Sequence, residues 1–194
     1  VGAWKAGNLR ISGNVKPVIA WMRDMKAGKR EPLGHVAVVG GGNTAMDAAR
    51  LALRAGAASS TLVYRRTRKY MPADAEELEL AVADGVQFLE LVSPVEQRDG
   101  KLICRKMVLG EPDASGRRSP VETDETVEIL CDTVISAGGE KVDTEALAAY
   151  GIAADSRGCP DFRTNLENVY TGGDVFRGPA TVVEGIADAA AFAQ

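Results

Sequence analysis

Apolar residues recur three and four apart over residues 14–27 (Val15, Val18, Ile19, Met22, Met25), which predicts an amphipathic helix. Gly28 is its stop signal. The stretch from Lys26 to Gly34 is polar, holds Pro32 and reads as a linker. Val36-Ala37-Val38-Val39 is a short continuous apolar run, the pattern of a strand buried on both faces of a parallel sheet. Gly40-Gly41-Gly42 breaks it, and a helix is expected from Thr44 to Ala55, ending at Gly56. Thr61 to Tyr64 reads as a second strand and Gln87 to Val92 as a third. Between them an acidic helix is expected over 74–84, with Ala75, Leu78, Ala81 and Val82 on its apolar side.

Past residue 95 the texture changes. Strand-like segments at 101–109 and 121–130 flank the polar turn Glu111-Pro112-Asp113-Ala114-Ser115-Gly116, which predicts an antiparallel hairpin or meander. Thr133 to Ala137 is another buried strand, closed by Gly138-Gly139. A short helix at 144–150, a last strand at 168–171 followed by Gly172-Gly173-Asp174, and an Ala-rich helix over 180–194 complete the pass. Strands alternating with helices argue an α/β fold, a parallel Rossmann-like sheet carrying an antiparallel meander.

Composition narrows the function. The 194 residues carry a net charge of −4, which argues against a general grip on nucleic acid. No apolar run approaches the ~20 residues of a membrane span. The three cysteines, at 104, 131 and 159, form no CxxC pair and no zinc or iron–sulfur spacing. They read as idle thiols of a reducing, cytoplasmic compartment, and no metal site is expected. His35 is the only histidine, so acid–base chemistry built on imidazole has one candidate. The start, Val1-Gly2-Ala3-Trp4-Lys5, shows no signal-peptide pattern and reads as a cut inside a longer protein.

The strongest chemical signal is Gly40-Gly41-Gly42-Asn43-Thr44-Ala45, a G-x-G-x-x-A turn between a strand and a helix. Gly40 permits the tight turn, Gly42 lets backbone approach a pyrophosphate, and Ala45 lets the helix pack close to the sheet. The helix start offers unpaired N–H groups to the phosphates, with Asn43 or Thr44 as its expected cap. An NAD site places an acidic residue at the end of the second strand. Here that place is taken by Tyr64-Arg65-Arg66-Thr67-Arg68-Lys69, whose guanidinium groups suit a 2′-phosphate, so NADPH is favoured over NADH. The alternatives are a glycine-rich turn with no ligand and a solvated basic face.

As a set, GGGNTAMDAAR (40–50), YRRTRKYMPA (64–73), DGVQFLELVSP (84–94), LGEPDASGRR (109–118), CDTVISAGGEKVD (131–143) and TGGDVFRGPATVVEGIADA (171–189) go further. The chain resembles the NADPH-dependent flavoproteins typified by the small subunit of bacterial glutamate synthase, and is most similar to their selenate reductase branch. That resemblance implies an NADPH domain, 34–137, inserted into an FAD domain to which 1–33 and 138–194 belong. It implies hydride transfer from NADPH to flavin, with electrons passing on to iron–sulfur clusters or a partner subunit. Residue by residue, Gly40 to Ala45 match the NADPH turn. Arg65 and Arg66 match the 2′-phosphate clamp, with Arg68 beside them. Ala137 and Gly138 match the strand end that returns near the cofactor. Gly173 and Asp174 match the second FAD motif, in which the carboxylate accepts a hydrogen bond from a ribityl hydroxyl. The helix opening at Ala180-Thr181-Val182 aims its start at the flavin. No catalytic acid or base is implied.

The FAD pyrophosphate turn and the cysteine-rich iron–sulfur segment of that family have no counterpart here. Gly7 and Gly13 follow no buried strand and have the wrong spacing. The FAD site is therefore incomplete within these residues, and weak flavin retention is expected. A thioredoxin reductase-like disulfide enzyme would need a CxxC pair that the sequence lacks. A module that holds NADPH without turnover fits the same residues; flavin content and NADPH-driven dye reduction separate it from the oxidoreductase.

Overall fold

The structure, a computed structural model, describes residues 4–6, 9–114, 116, 118–178 and 180–192. Gly7, Ser115 of the expected turn and the expected helix end at 193–194 lie outside them. The elements in order are β1 (Trp4–Ala6), β2 (Val15–Pro17), α1 (Val18–Lys26), β3 (His35–Val39), α2 (Asn43–Arg54), β4 (Ser59–Tyr64), α3 (Ala75–Ala83), β5 (Gln87–Glu90), β6 (Val92–Arg98), β7 (Lys101–Pro112), β8 (Arg118–Leu130), β9 (Thr133–Ser136), β10 (Glu140–Val142), α4 (Thr144–Ala149), α5 (Asp174–Arg177) and α6 (Val182–Phe192). The chain divides into two compact units, residues 6–139 and residues 1–5 with 140–194.

The larger unit is built on a parallel five-stranded sheet of order β2-β9-β3-β4-β5. Its strands alternate between two cores, as side chains on successive residues must. Val36, Val38, Leu62 and Ile135 pack with Trp21, Met46, Ala48, Ala49 and Ala52 of α1 and α2. Ala37, Val63 and Val134 point the other way, against Val92, Leu102 and Cys104 of the antiparallel meander β6-β7-β8. Each fully buried aliphatic side chain contributes roughly 1.5–3 kcal/mol. The small residues Ala45, Ala48, Ala49 and Ala52, all without exposure, form the stripe by which α2 lies on the sheet.

Several expectations shift. The helix predicted over 14–27 begins only at Val18, because Val15–Pro17 form a strand paired with β9. The expected break between residues 33 and 34 therefore falls inside the larger unit, and β2 and α1 belong with its sheet. The strand predicted over 87–92 is two strands separated by Leu91, which sits at φ +55. Val82, assigned to the apolar side of the acidic helix, is 52% exposed, and Ala81 alone is buried there.

In the smaller unit β1 pairs with β10. The strand predicted over 168–171 is a single bridge, Arg163 to Tyr170. The core there is aromatic: Phe162 stacks on Phe192 with centroids 4.8 Å apart, and Tyr170 and Phe176 pack around them.

Candidate functional site

β3 delivers its C-terminal end to the glycine turn between two neighbours. Gly40 donates its N–H to Val63 O of β4 (3.2 Å), and Ala137, just after β9, donates to Val39 O (2.8 Å). A Cβ on Gly40 would run into the Ala137 carbonyl, and one on Gly41 would meet the Tyr64 ring at 2.5 Å. A Cβ on Gly42 meets nothing within 4 Å. Gly40 and Gly41 are therefore required by the fold, whereas Gly42 borders open space. Gly138 is likewise exposed, with room for a side chain.

Gly42 is the N-cap of α2, and no side chain caps the helix. This corrects the expectation that Asn43 or Thr44 would do so. Asn43 is instead spent on the start of α3: its Nδ2 donates to Asp74 Oδ2 (2.8 Å) and its Oδ1 accepts the Asp74 N–H (2.9 Å). Thr44 is exposed and Ala45 fully buried. The first-turn N–H groups, with the positive end of the helix dipole, are left without a side-chain acceptor, a ready-made place for an anion.

The loop after β4 is laced to this turn. Ala73 donates its N–H to Gly41 O (3.0 Å), and Tyr64 OH donates to Tyr70 O (2.8 Å). The loop's arginines occupy three different environments. Arg65 is exposed and has no ion-pair partner among the described residues. Arg66 is only 7% exposed, and its Nε is buried without a hydrogen-bond partner. Arg68 is taken by Glu90, Nε to Oε1 at 2.6 Å, with its guanidinium 4.7 Å above the Phe88 ring. Neither the burial of Arg66 nor the Glu90 contact had a local sequence signal; Glu90 reaches the loop because it pairs with Tyr64 across the sheet.

His35 stands at the opposite end of β3 from the glycines, with Nδ1 2.9 Å from Ser59 Oγ. Cys104 and Cys131 are fully buried, and burial pushes their thiols up to about 12 and about 11, which leaves negligible thiolate at neutral pH.

In the smaller unit Gly173, at φ +64, opens the four-residue α5 at Asp174. Asp174 is exposed and its Oδ1 accepts the Ala180 N–H (3.2 Å). Thr181 and Glu184 form a capping box at the start of α6: Glu184 Oε2 accepts the Thr181 N–H and hydroxyl (both 2.8 Å), and Thr181 Oγ1 accepts the Glu184 N–H (3.3 Å). The T-x-x-E spacing of these residues was the readable signal for it. Those contacts, the Thr181 N–H first, hold the Glu184 carboxyl below its ordinary range. Asp188, 5% exposed, takes the Arg177 guanidinium through both oxygens and accepts the Gly173 N–H at 2.7 Å. Arg177, then Gly173, keep its carboxyl below the usual range. A cleft of about 430 Å³ lies beside these groups, lined by Asp174, Ala180, Thr181, Val182 and Ile186.

The model of the pyridine nucleotide-disulphide oxidoreductases matches residues 2–189. The chain belongs to this family. Within the pyridine nucleotide-disulphide oxidoreductases it is 46% identical to YgfK of Escherichia coli K12 over 97% of this chain and 19% of that protein. It is 41% identical to the NADPH-Fe(3+) oxidoreductase subunit beta of Geobacter sulfurreducens over 91% of this chain and 31% of that protein. With the glutamate synthase [NADPH] small chain of E. coli it shares 37% identity over 79% of this chain and 36% of that one. The chain thus spans a fifth to about a third of the length of these curated relatives. Mycobacterium tuberculosis FprA, solved in complex with NADPH, has the same fold (TM-score 0.76, 21% identity, 97% of this chain and 60% of that one). The thioredoxin reductase of T. acidophilum shares it as well (TM-score 0.66, 19% identity, 96% of this chain and 60% of that one). The Rossmann-like parallel sheet with its antiparallel meander is therefore a fold shared with these two proteins. Among the described residues no helix is long and apolar enough to cross a membrane, and no cluster could hold a metal ion.

Proposed function

We propose that this chain holds NADPH over the Gly40–Gly42 turn and serves, in the full-length protein, as part of an NADPH-dependent flavoprotein oxidoreductase. One observation carries the reading: the start of α2, with no side-chain cap, and Arg65, exposed and without an ion-pair partner among the described residues, follow adjacent strands, β3 and β4, at the same end of the sheet. A dinucleotide needs a donor-rich turn for its pyrophosphate and, when it is NADPH, a cation for its 2′-phosphate. β4 ends in Tyr64 rather than a carboxylate, so the strand itself sets no negative charge against the phosphate.

In this reading Gly42 admits the pyrophosphate and the first-turn N–H groups bind it. Arg65 takes the 2′-phosphate, with Arg66 and Arg68 adding positive charge. Ala137 and Gly138 flank the turn, and the contact of Ala137 O with Gly40 supports that placement. The NADPH domain comprises residues 34–137 joined by β2 and α1. Residues 138–194, with β1, form part of an FAD domain. There Asp174 accepts from a flavin hydroxyl, and Ala180, Thr181 and Val182 present the start of α6. Bound NADPH would supply a hydride and FAD would accept it, the electrons then leaving for an iron–sulfur domain or acceptor subunit outside this chain. The residues here bind and orient; none is needed as an acid or base. Three free cysteines support a reducing, cytoplasmic setting.

Gly42→Val tests the reading. A Cβ there meets nothing within 4 Å, and the side chain would occupy the place of the pyrophosphate. The expected result is at least a tenfold loss of NADPH affinity, with a smaller fall in Tm than Gly40→Val causes. Undiminished NADPH binding would contradict the placement.

A further inference from the structure

We propose that Glu90 is a positioning residue for the 2′-phosphate loop. The inference rests on the NADPH reading above. The loop packs four cations, Arg65, Arg66, Arg68 and Lys69, into five residues, and their mutual repulsion opposes any single arrangement. Glu90 answers that repulsion from the neighbouring strand. Its Oε1 accepts from Arg68 Nε at 2.6 Å and its Oε2 from the Arg68 backbone N–H at 3.2 Å. One carboxylate therefore fixes both the side chain and the main chain at one point of the loop.

The corner after β5 adds a second grip. Leu91 donates its N–H to Arg66 O (3.2 Å), and Leu91 O accepts the Met107 N–H (2.7 Å). Leu91 holds φ +55, a left-handed conformation that a leucine keeps only where its surroundings over-determine it. The Phe88 ring beneath the Arg68 guanidinium completes the seat. Residues 88, 90 and 91 thus hold 66 and 68, while Arg65 stays unpartnered among the described residues. Arg68 is the strut of the loop, and Arg65 is the exposed arginine offered to a ligand. Glu90 affects the 2′-phosphate through that strut, without touching it.

The test compares affinities of the chain for adenosine 2′,5′-bisphosphate and adenosine 5′-monophosphate, which differ only in the 2′-phosphate. Glu90→Ala lowers the ratio of the two affinities about fivefold, the upper end of what an exposed ion pair holds, with adenosine 5′-monophosphate binding unchanged. Glu90→Asp keeps the charge but cannot span both Arg68 donors, and it lowers the ratio too. Glu90→Gln keeps the reach but offers Arg68 a single acceptor oxygen and no charge, and it lowers the ratio as well. A loss of fold would weaken both ligands alike, so the ratio separates positioning from general damage. The proposal is overturned if Glu90→Ala or Glu90→Gln leaves or raises the ratio. A parent ratio near one overturns the NADPH reading itself, and this inference with it.

Discussion

The two helix starts that follow glycine turns are built in opposite ways. At α2 the glycines are fixed by packing, Gly40 against the Ala137 carbonyl and Gly41 against Tyr64, while the helix end stays uncapped. At α6 the end is closed by Thr181 and Glu184, and the preceding Gly173 is tied inward to Asp188. The surroundings differ in the same sense. α2 lies on a sheet with a core on each face, whereas α6 leaves Val182, Val183 and Ile186 80%, 74% and 62% exposed. An anion site is legible as donors that the protein leaves unspent; at α6 two such donors are already spent on the protein itself. The first turn therefore carries the functional reading by its own geometry, and the second carries it through family likeness.

Breaking the first turn has the largest expected effect. Gly40→Val forces a side chain into the Ala137 backbone and costs on the order of 3 kcal/mol in chemical denaturation, where Gly42→Val costs less. Next come the arginines, which the structure separates. Arg65→Ala weakens NADPH by up to about 2–3 kcal/mol in calorimetry, leaving Tm and NADH unchanged. Arg66→Ala lowers Tm as well, because that side chain is packed in the interior. An Arg65→Ala protein that binds NADPH as the parent does would erase the contrast between the two arginines.

The smallest effect concerns acid. Asp188 is held below the usual carboxylate range by Arg177 and the Gly173 N–H. A depressed native pKa contributes stability that is complete above the unfolded value, about 3.9, and is lost as pH falls through the lowered native one. Thermal unfolding of the parent should therefore weaken below about pH 4, and Asp188→Asn should remove that part of the acid loss while lowering Tm at neutral pH. An unchanged acid slope in the variant would show that Asp188 does not hold the Gly173 turn.

The β3–turn–α2–β4 unit was legible because its signals are local: an apolar run, a glycine break, a 3.6-residue stripe and a terminal glycine. β2 was not, since three residues ending in Pro17 carry no period and owe their strand to pairing with β9. The strand expected at 168–171 has apolar residues at Val169 and Tyr170 but one bridging partner. The site followed the same division. The glycines and the basic loop were written in sequence, but which arginine is free and which is buried depended on the Tyr64–Glu90 register. Asn43 looked like a cap until the fold placed Asp74 beside it.

The most direct test is a titration of the chain with NADPH and with NADH under one set of conditions, followed by calorimetry. The account predicts that NADPH binds at least tenfold more tightly, with the difference abolished in Arg65→Ala. Equal affinity for the two cofactors, or a preference for NADH, would contradict it.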